Sequence, residues 1–294
     1  MASMLPEHKE LPPLNGLPVI VTGAARGIGR AIAFGLLRAG ARVAMVDRAE
    51  HDLNQCAAEA RAVTTADAVV PICADITHPE DVQRIIERTV AAFGGIYGLV
   101  NNAGIGRFWL RHDFLTRPIR FWELEPEQWR RFIDVNANGF FQMTHAVIGH
   151  LLQQDRGRVI TVTTSIDTMI RGGSVGYGGS KAAIEASMAT LAEDLIGCRV
   201  TANVVVPGGP VNTPAMPDDG VIPRSAFIQA EVMVPPIVWL LSDEAADVSG
   251  RRFIAARWDP SLPGQQASLA CADPIGWPQL GGQTRFPDQL LPKP

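Results

Sequence analysis

Residues 19–29 read VIVTGAARGIG. Val19 to Val21 is a short apolar run of the kind that forms a buried strand, and the residues after the glycines, to Ala39, read as a helix. A glycine-rich turn between strand and helix lets backbone approach a phosphate, with free N–H groups and the positive end of the helix dipole aimed at it. Gly23, Gly27 and Gly29 give G-x-x-x-G-x-G, one residue longer than the common dinucleotide fingerprint. The next strand, Arg42 to Val46, ends at Asp47, about 20 residues past the glycines, where a carboxylate can accept hydrogen bonds from an adenosine ribose. A carboxylate there repels a 2′-phosphate, so NAD is favoured; Arg26 and Arg48 are the residues that could pair with such a phosphate and keep NADP open.

The same alternation continues down the chain. Strand-like runs at Val69–Ile72, Tyr97–Val100, Arg158–Thr163, Val200–Val206 and Arg252–Ala256 are separated by helix-like segments, and no repeat or low-complexity block interrupts them. The pattern predicts an α/β fold, a doubly wound parallel sheet with helices on both faces. Pro79 to Phe93 carries a helical stripe of Val82, Ile85, Ile86, Val90 and Phe93, which is core packing. The longer helix from Pro126 to about Leu152 contains Asn136, Asn138 and Gly139, all poor interior helix formers, and a local distortion is expected there. Asn101-Asn102-Ala103-Gly104 closes the fourth strand with small and polar residues, as suits a ligand crevice or an ordinary turn.

Tyr177 and Lys181 stand four residues apart, on one face of a helix. The chain has 2 tyrosines, and its lysines are Lys9, Lys181 and Lys293, so such a pair arises by accident only about 0.02 times. A phenol is a poor base at neutral pH, and a nearby ammonium favours its ionised form, which makes the pair a candidate proton-transfer device. Thr164 and Ser165, at the end of the strand before it, are candidate donors to an oxygen gaining negative charge. Adjacent strand residues face opposite sides, so only one of them is expected in the site unless the strand has ended.

With these motifs in this order the chain resembles the short-chain dehydrogenase/reductase family. They are T-G-x-x-x-G-x-G at Thr22–Gly29, Asp47, Asp75, N-N-A-G at Asn101–Gly104, Asn136, Tyr177 with Lys181, and Pro207-Gly208 leading to Thr213. The resemblance spans roughly residues 15–258 and implies a single Rossmann-type domain of about seven strands. It implies hydride transfer between a nicotinamide cofactor and a secondary alcohol or ketone, with Asn136, Thr164 or Ser165, Tyr177 and Lys181 catalytic and Asn136 supporting a water relay to the lysine. Around the cofactor it implies Gly23, Arg26, Gly27, Ile28, Asp47, Arg48, Asp75, Ile76, Asn102, Tyr177, Lys181, Pro207, Gly208, Val211 and Thr213. The family's serine usually stands where this chain has Thr164; Ser165 is the expected residue type one place late. A homo-oligomer, tetramer or dimer, is implied as well. NADPH-dependent carbonyl reduction and a non-catalytic nucleotide sensor are the rival readings.

A net charge of -4 and a pI near 5.9 offer nothing to a nucleic acid. No apolar run is long enough for a membrane span and the start lacks a signal-peptide core, so a cytoplasmic protein is expected. The 4 cysteines and 6 histidines show no metal-ligand spacing, and no metal is expected. Two stretches lie outside the resemblance. Residues 105–122 are aromatic and basic, with Arg107, Arg111, Arg117 and Arg120, and suit either a lid whose arginines meet an acidic substrate or a surface flap. Residues 259–294 form a proline-rich C-terminal extension expected either to lie extended over a surface, clasping a neighbouring subunit with Trp277, Phe286 and Leu290 as anchors, or to be disordered.

Overall fold

The computed structural model describes residues 11–214, 216 and 223–280 of the chain. In chain order the elements are β1 (Pro18–Thr22), α1 (Gly27–Arg38), β2 (Arg42–Asp47), α2 (Glu50–Arg61), β3 (Val69–Cys73), α3 (Pro79–Phe93) and β4 (Gly98–Asn101). Then follow α4 (Pro126–Phe132), a π-helical turn (Ile133–Asn138), α5 (Gly139–Gln153), β5 (Gly157–Val162), α6 (Ile166–Ile170), α7 (Val175–Asp194) and β6 (Val200–Val206). The last are β7 (Val211–Asn212), β8 (Ile228–Gln229), α8 (Val234–Leu241), β9 (Arg251–Ile254), α9 (Gly264–Cys271) and β10 (Ala272–Pro274).

One sheet has the order β10-β9-β6-β5-β4-β1-β2-β3, parallel throughout except that β10 runs antiparallel to β9. The direction of winding reverses between β1 and β4, and the crevice outside their carboxyl ends is where a doubly wound sheet binds ligands. Alternation along each strand feeds two cores. In β1, Val19 and Val21 pack with Ile32, Leu36, Trp239 and Phe253 on one face, while Ile20 packs with Ile85, Met143, Val147 and Met188 on the other.

Local sequence sets the boundaries. Pro79 at the first turn starts α3, and Gly94, at φ +80, ends it with its N–H on the Val90 carbonyl. Its buried stripe is Val82, Ile85, Ile86 and Phe93, as the spacing requires, with Thr89, whose hydroxyl bonds to the Ile85 carbonyl, buried in place of the half-buried Val90. Glu125 and Gln128 form a capping box around Pro126 at the start of α4. The expected distortion is the π turn, and the Gly139 that follows it passes so close to Ile76 that a Cβ there would lie 2.7 Å from Ile76 Cδ1.

The C-terminal extension departs from the sequence expectation. Instead of lying extended, residues 264–271 form α9, which buries Ala267, Ser268 and Cys271, and residues 272–274 add β10 to the sheet. Gly264 makes this possible by packing directly on the Trp239 indole. Of the expected anchors, Trp277 is half-buried, and Phe286 and Leu290 lie outside the described residues.

Candidate active site

The turn between β1 and α1 is held from the side by the end of β4. Asn102 donates its side-chain N–H to the carbonyls of Thr22 (2.9 Å) and Gly23 (3.2 Å), and Thr22 Oγ1 accepts the N–H groups of Asn102 and Ala103, both at 3.0 Å. Gly23 and Gly27 take φ +66 and +56, which favours glycine. At Gly29 even a methyl group would collide with the Gly23 carbonyl oxygen and the Asn102 amide, so the start of α1 lies directly on the turn. No side chain caps α1 at Arg26. Ile28 is half-buried beside the core, and Thr213 lies across the mouth of the turn, its Cγ2 3.1 Å from where a Gly27 Cβ would be.

Asp47 stands at the end of β2 with both carboxylate oxygens engaged: Oδ2 accepts the Ala25 N–H at 3.1 Å and Oδ1 the Ala49 N–H at 3.0 Å. The two arginines beside it are occupied elsewhere, Arg26 with Asp52 at 3.8 Å and Arg48 with Asp75 at 3.7 Å. Burial alone would raise the Asp75 carboxyl, but hydrogen bonds from the Thr77 N–H and hydroxyl, together with Arg48 and Arg131, hold it below its ordinary value. Ile76, next to it, is buried against Gly139. On the far wall the Pro207 carbonyl accepts the Ala256 N–H at 3.0 Å, Gly208 takes φ +98, and Val211 pairs with Ile228 in a two-stranded ladder.

Asn136 lies in the π turn and is fully buried. Its Oδ1 accepts the Ile105 N–H at 2.8 Å, and its Nδ2 donates to the Ile105 carbonyl at 3.1 Å and to Ser180 Oγ at 2.9 Å. The side chain thus ties the loop after β4 to α7. Lys181 and Asn136 converge at Gly104, where an added Cβ would lie 2.9 Å from Asn136 Oδ1 and 3.7 Å from Lys181 Nζ.

β5 ends at Val162, so Thr164 and Ser165 are free of strand alternation and take different partners. Ser165 caps α6: its Oγ accepts the Thr168 N–H at 3.2 Å and lies 2.9 Å from Thr168 Oγ1. The Thr164 side chain lies near enough to the Tyr177 phenol to favour its ionised form. Tyr177 packs against Ile105, Phe132 and Val135. Burial raises its phenol above the ordinary value, against the neighbouring Thr164 side chain and the field of Arg107, which both lower it. The spacing predicts Lys181 as the cation acting on Tyr177; in the structure the lysine donates to the Val162 carbonyl at 2.9 Å, and burial lowers its ammonium to about 8.

Behind this group lies a buried pair that motif reading passes over. Glu185, one helical turn beyond Lys181, accepts the Thr163 hydroxyl at 2.8 Å and faces Arg252 at 3.6 Å, and Arg252 donates to the Thr164 carbonyl at 2.6 Å. An acidic residue on the buried face of α7, in step with Tyr177 and Lys181, was the available signal for Glu185; nothing local marks Arg252.

The insertion after β4 folds over the cleft. Phe114 and Ile119 are buried, Pro118 packs on Gly173, and Trp109 meets Phe132 edge-on at 5.6 Å. Of its arginines, Arg111 and Arg117 pair with Asp113, and Arg120 is exposed; Arg107 turns inward to border the cleft with Tyr177. Among the described residues no cluster of His, Cys, Asp and Glu could hold a metal ion, and no helix is long and apolar enough to cross a membrane.

The short chain dehydrogenase family model matches residues 18–219. A 3-oxoacyl-[acyl-carrier-protein] reductase of Escherichia coli is 31% identical over 244 residues, covering 80% of this chain and 94% of that protein. A short-chain type dehydrogenase/reductase of Picea abies is 31% identical over 257 residues, 81% of this chain and 90% of that one. Among solved structures, a short chain dehydrogenase from Burkholderia cenocepacia in complex with NADP superposes with a TM-score of 0.68 at 28% identity, over 80% of this chain and 94% of that one. A 3-ketoacyl-(acyl-carrier-protein) reductase from Brucella melitensis complexed with NADH gives a TM-score of 0.69 at 25% identity, over 80% and 95%. With its parallel sheet, its glycine turn at the reversal of winding and its family match along most of its length, the chain belongs to the short chain dehydrogenases, oxidoreductases that transfer a hydride between a nicotinamide cofactor and an alcohol or carbonyl carbon.

Proposed function

We propose that the protein is an NAD-dependent dehydrogenase or ketoreductase of secondary alcohols and ketones, with Tyr177 as general acid and base. The observation that carries the chemistry is the buried Tyr177 phenol with the Thr164 side chain beside it and with Lys181 and Asn136 converging at Gly104. A dinucleotide fits the residues present. The uncapped N-terminus of α1 offers N–H groups to its phosphates at Gly27 and Ile28, and the close contact at Gly29 leaves the turn open to them. Asp47 supports NAD over NADP, because two backbone N–H groups pin its carboxylate at the end of β2, where an adenosine ribose would lie. Asn102 serves by bracing the turn, and Asp75, Ile76, Pro207, Gly208, Val211 and Thr213 form the remaining walls.

The bound nicotinamide supplies the hydride acceptor in oxidation and the donor in reduction. In oxidation Tyr177 Oη takes the proton of the substrate hydroxyl; in reduction it returns one to the carbonyl oxygen. Thr164 donates to the same oxygen as its charge grows, and Ser165 stays out of the chemistry because its hydroxyl caps α6. Lys181 holds positive charge against the Val162 carbonyl at the base of the site, and Asn136 fixes the loop after β4 against α7. With the phenol raised by burial, Tyr177 is protonated at neutral pH in the free protein and is ready to act as the acid. A homo-oligomer is part of this reading, on family likeness.

The test is a panel of secondary alcohols and ketones followed by nicotinamide absorbance, with NAD(H) and NADP(H) in parallel. Turnover with NAD(H) is expected, abolished in Tyr177→Phe while NAD still binds. A Tyr177→Phe variant that turns over would remove the tyrosine from its role, and a preference for NADP(H) would replace the cofactor assignment with carbonyl reduction by NADPH.

A further inference from the structure

Arg107 is out of keeping with the other arginines of its segment. Arg111 lies 3.9 Å and Arg117 3.1 Å from the Asp113 carboxylate, out on the surface, which is where short ion pairs cost little and do little. Arg107 is half-buried, its guanidinium 4.8 Å over the Phe114 ring and one Nη donating to Ser174 Oγ at 3.3 Å. Among the described residues it pairs with no carboxylate. A guanidinium taken out of water without an anion is costly, and one hydroxyl and one ring face satisfy only part of its five-donor fork. The fold nevertheless holds it there: the insertion places it, Phe114 and Ser174 orient it, and the cleft it borders contains Tyr177, Leu110, Leu124 and Phe132. Burial disfavours the charge of Arg107, the Tyr177 phenol favours it, and the Arg171 guanidinium opposes it. A half-buried cation on the rim of an apolar cleft, beside the proposed acid–base tyrosine, makes a site of positive potential that lacks its anion.

We propose that Arg107 is the specificity-determining residue of the site and that the substrate is an oxo acid or hydroxy acid. Its carboxylate pairs with the Arg107 guanidinium, and its carbonyl or hydroxyl oxygen meets Tyr177 and Thr164. The planar fork of arginine matches a carboxylate in two parallel hydrogen bonds and so orients the substrate as well as holding it. Leu110 and Leu124, half-buried along the same cleft, are the apolar side chains that would meet the carbon chain. The proposal rests on Tyr177 marking where the reacting oxygen lies, and it predicts a binding preference that can be measured without turnover.

The experiment is calorimetric titration of the protein saturated with NAD, using acetoacetate and 3-oxooctanoate, each against its methyl ester. Both partners are oxidised, so no reaction occurs and affinity alone is read. At least one acid is expected to bind about tenfold or more tighter than its ester, as suits a charge-assisted pair in a partly buried site. Arg107→Gln is expected to erase that preference with little change for the ester, and Arg107→Lys to restore part of it. Acids and esters of equal affinity, or a preference that survives Arg107→Gln, would overturn the proposal, and the comparison on the unaltered protein decides it even if the variant fails to fold. A role for Arg107 only in packing Phe114 would weaken acid and ester alike and would count against it. Reduction of methyl acetoacetate by the unaltered protein with NADH is assayed alongside. Turnover there with no acid preference sinks the carboxylate assignment alone, whereas an acid preference without turnover of any of the compounds sinks the catalytic reading alone.

Discussion

Glu185 and Arg252 face each other at 3.6 Å inside the protein, Glu185 with no exposed surface, and between them they grip Thr163 by its hydroxyl and Thr164 by its carbonyl. Burial pushes the Glu185 carboxyl up, while Arg252 and the Thr163 hydroxyl pull it down. Removing one partner of such a pair leaves a charge in the interior with nothing to meet it. Glu185→Ala is therefore expected to destabilise the protein by about 3 kcal/mol, read as a lower urea midpoint. Turnover should fall as well, because the Thr164 backbone loses its support; an unchanged midpoint would show that the pair contributes nothing.

Asp47 supplies a second test, at the cofactor. Its two carboxylate oxygens accept the Ala25 and Ala49 N–H groups, which fixes its direction before any ligand arrives. Asp47→Ser is expected to weaken NAD binding roughly tenfold, the scale of one charged hydrogen bond, and to narrow the preference over NADP. Quenching of protein fluorescence by each dinucleotide measures both effects. An unaltered NAD to NADP ratio would move the discrimination elsewhere.

Lys181 gives stability a pH dependence of known sign. Burial lowers its ammonium from the ordinary 10.5 to about 8. Below pH 8 the lysine is charged in both folded and unfolded chains, and the cost of burying that charge is present in full. Between about 8 and 10.5 the folded chain binds fewer protons than the unfolded one, so its stability rises with pH, by about 3 kcal/mol across the window. Lys181→Met should flatten that rise relative to the unaltered protein in urea unfolding over this range. Parallel pH curves for the two proteins would contradict the buried, charged lysine.

The sheet and its helices were legible because each signal was local and repeated. Pro79 to Phe93 could be bounded to the residue, since a proline, an apolar stripe and a left-handed glycine all act within one helix. The distortion at Asn136, which is a π turn, was legible for the same reason, since Asn136, Asn138 and Gly139 are all poor helix formers. What the sequence withheld depended on distance. Whether Thr164 or Ser165 meets Tyr177 hangs on β5 stopping at Val162 and on Ser165 finding Thr168 to bond. Four arginines marked residues 105–122 as unusual, but that Asp113 would hold two of them at the surface while Arg107 turned inward is a matter of chain path. The link from Glu185 to Arg252 joins a helix to a strand far along the chain, and only folding brings them together. In the extension, the prolines at 260, 263, 274 and 278 hid a helix of eight residues lying between them.

The two outermost strands of the sheet each carry a proline, Pro71 in β3 opposite Met45 and Pro274 in β10 opposite Arg251. A proline has no N–H to give, so each of these strands has one ladder donor fewer. Without the extension the border would be β9, whose residues 251–254 are arginine, arginine, phenylalanine and isoleucine, with no proline among them. Among the described residues the C-terminal segment thus acts as a selvedge, closing the sheet with a short strand that is a poorer template for an incoming strand than β9 would be.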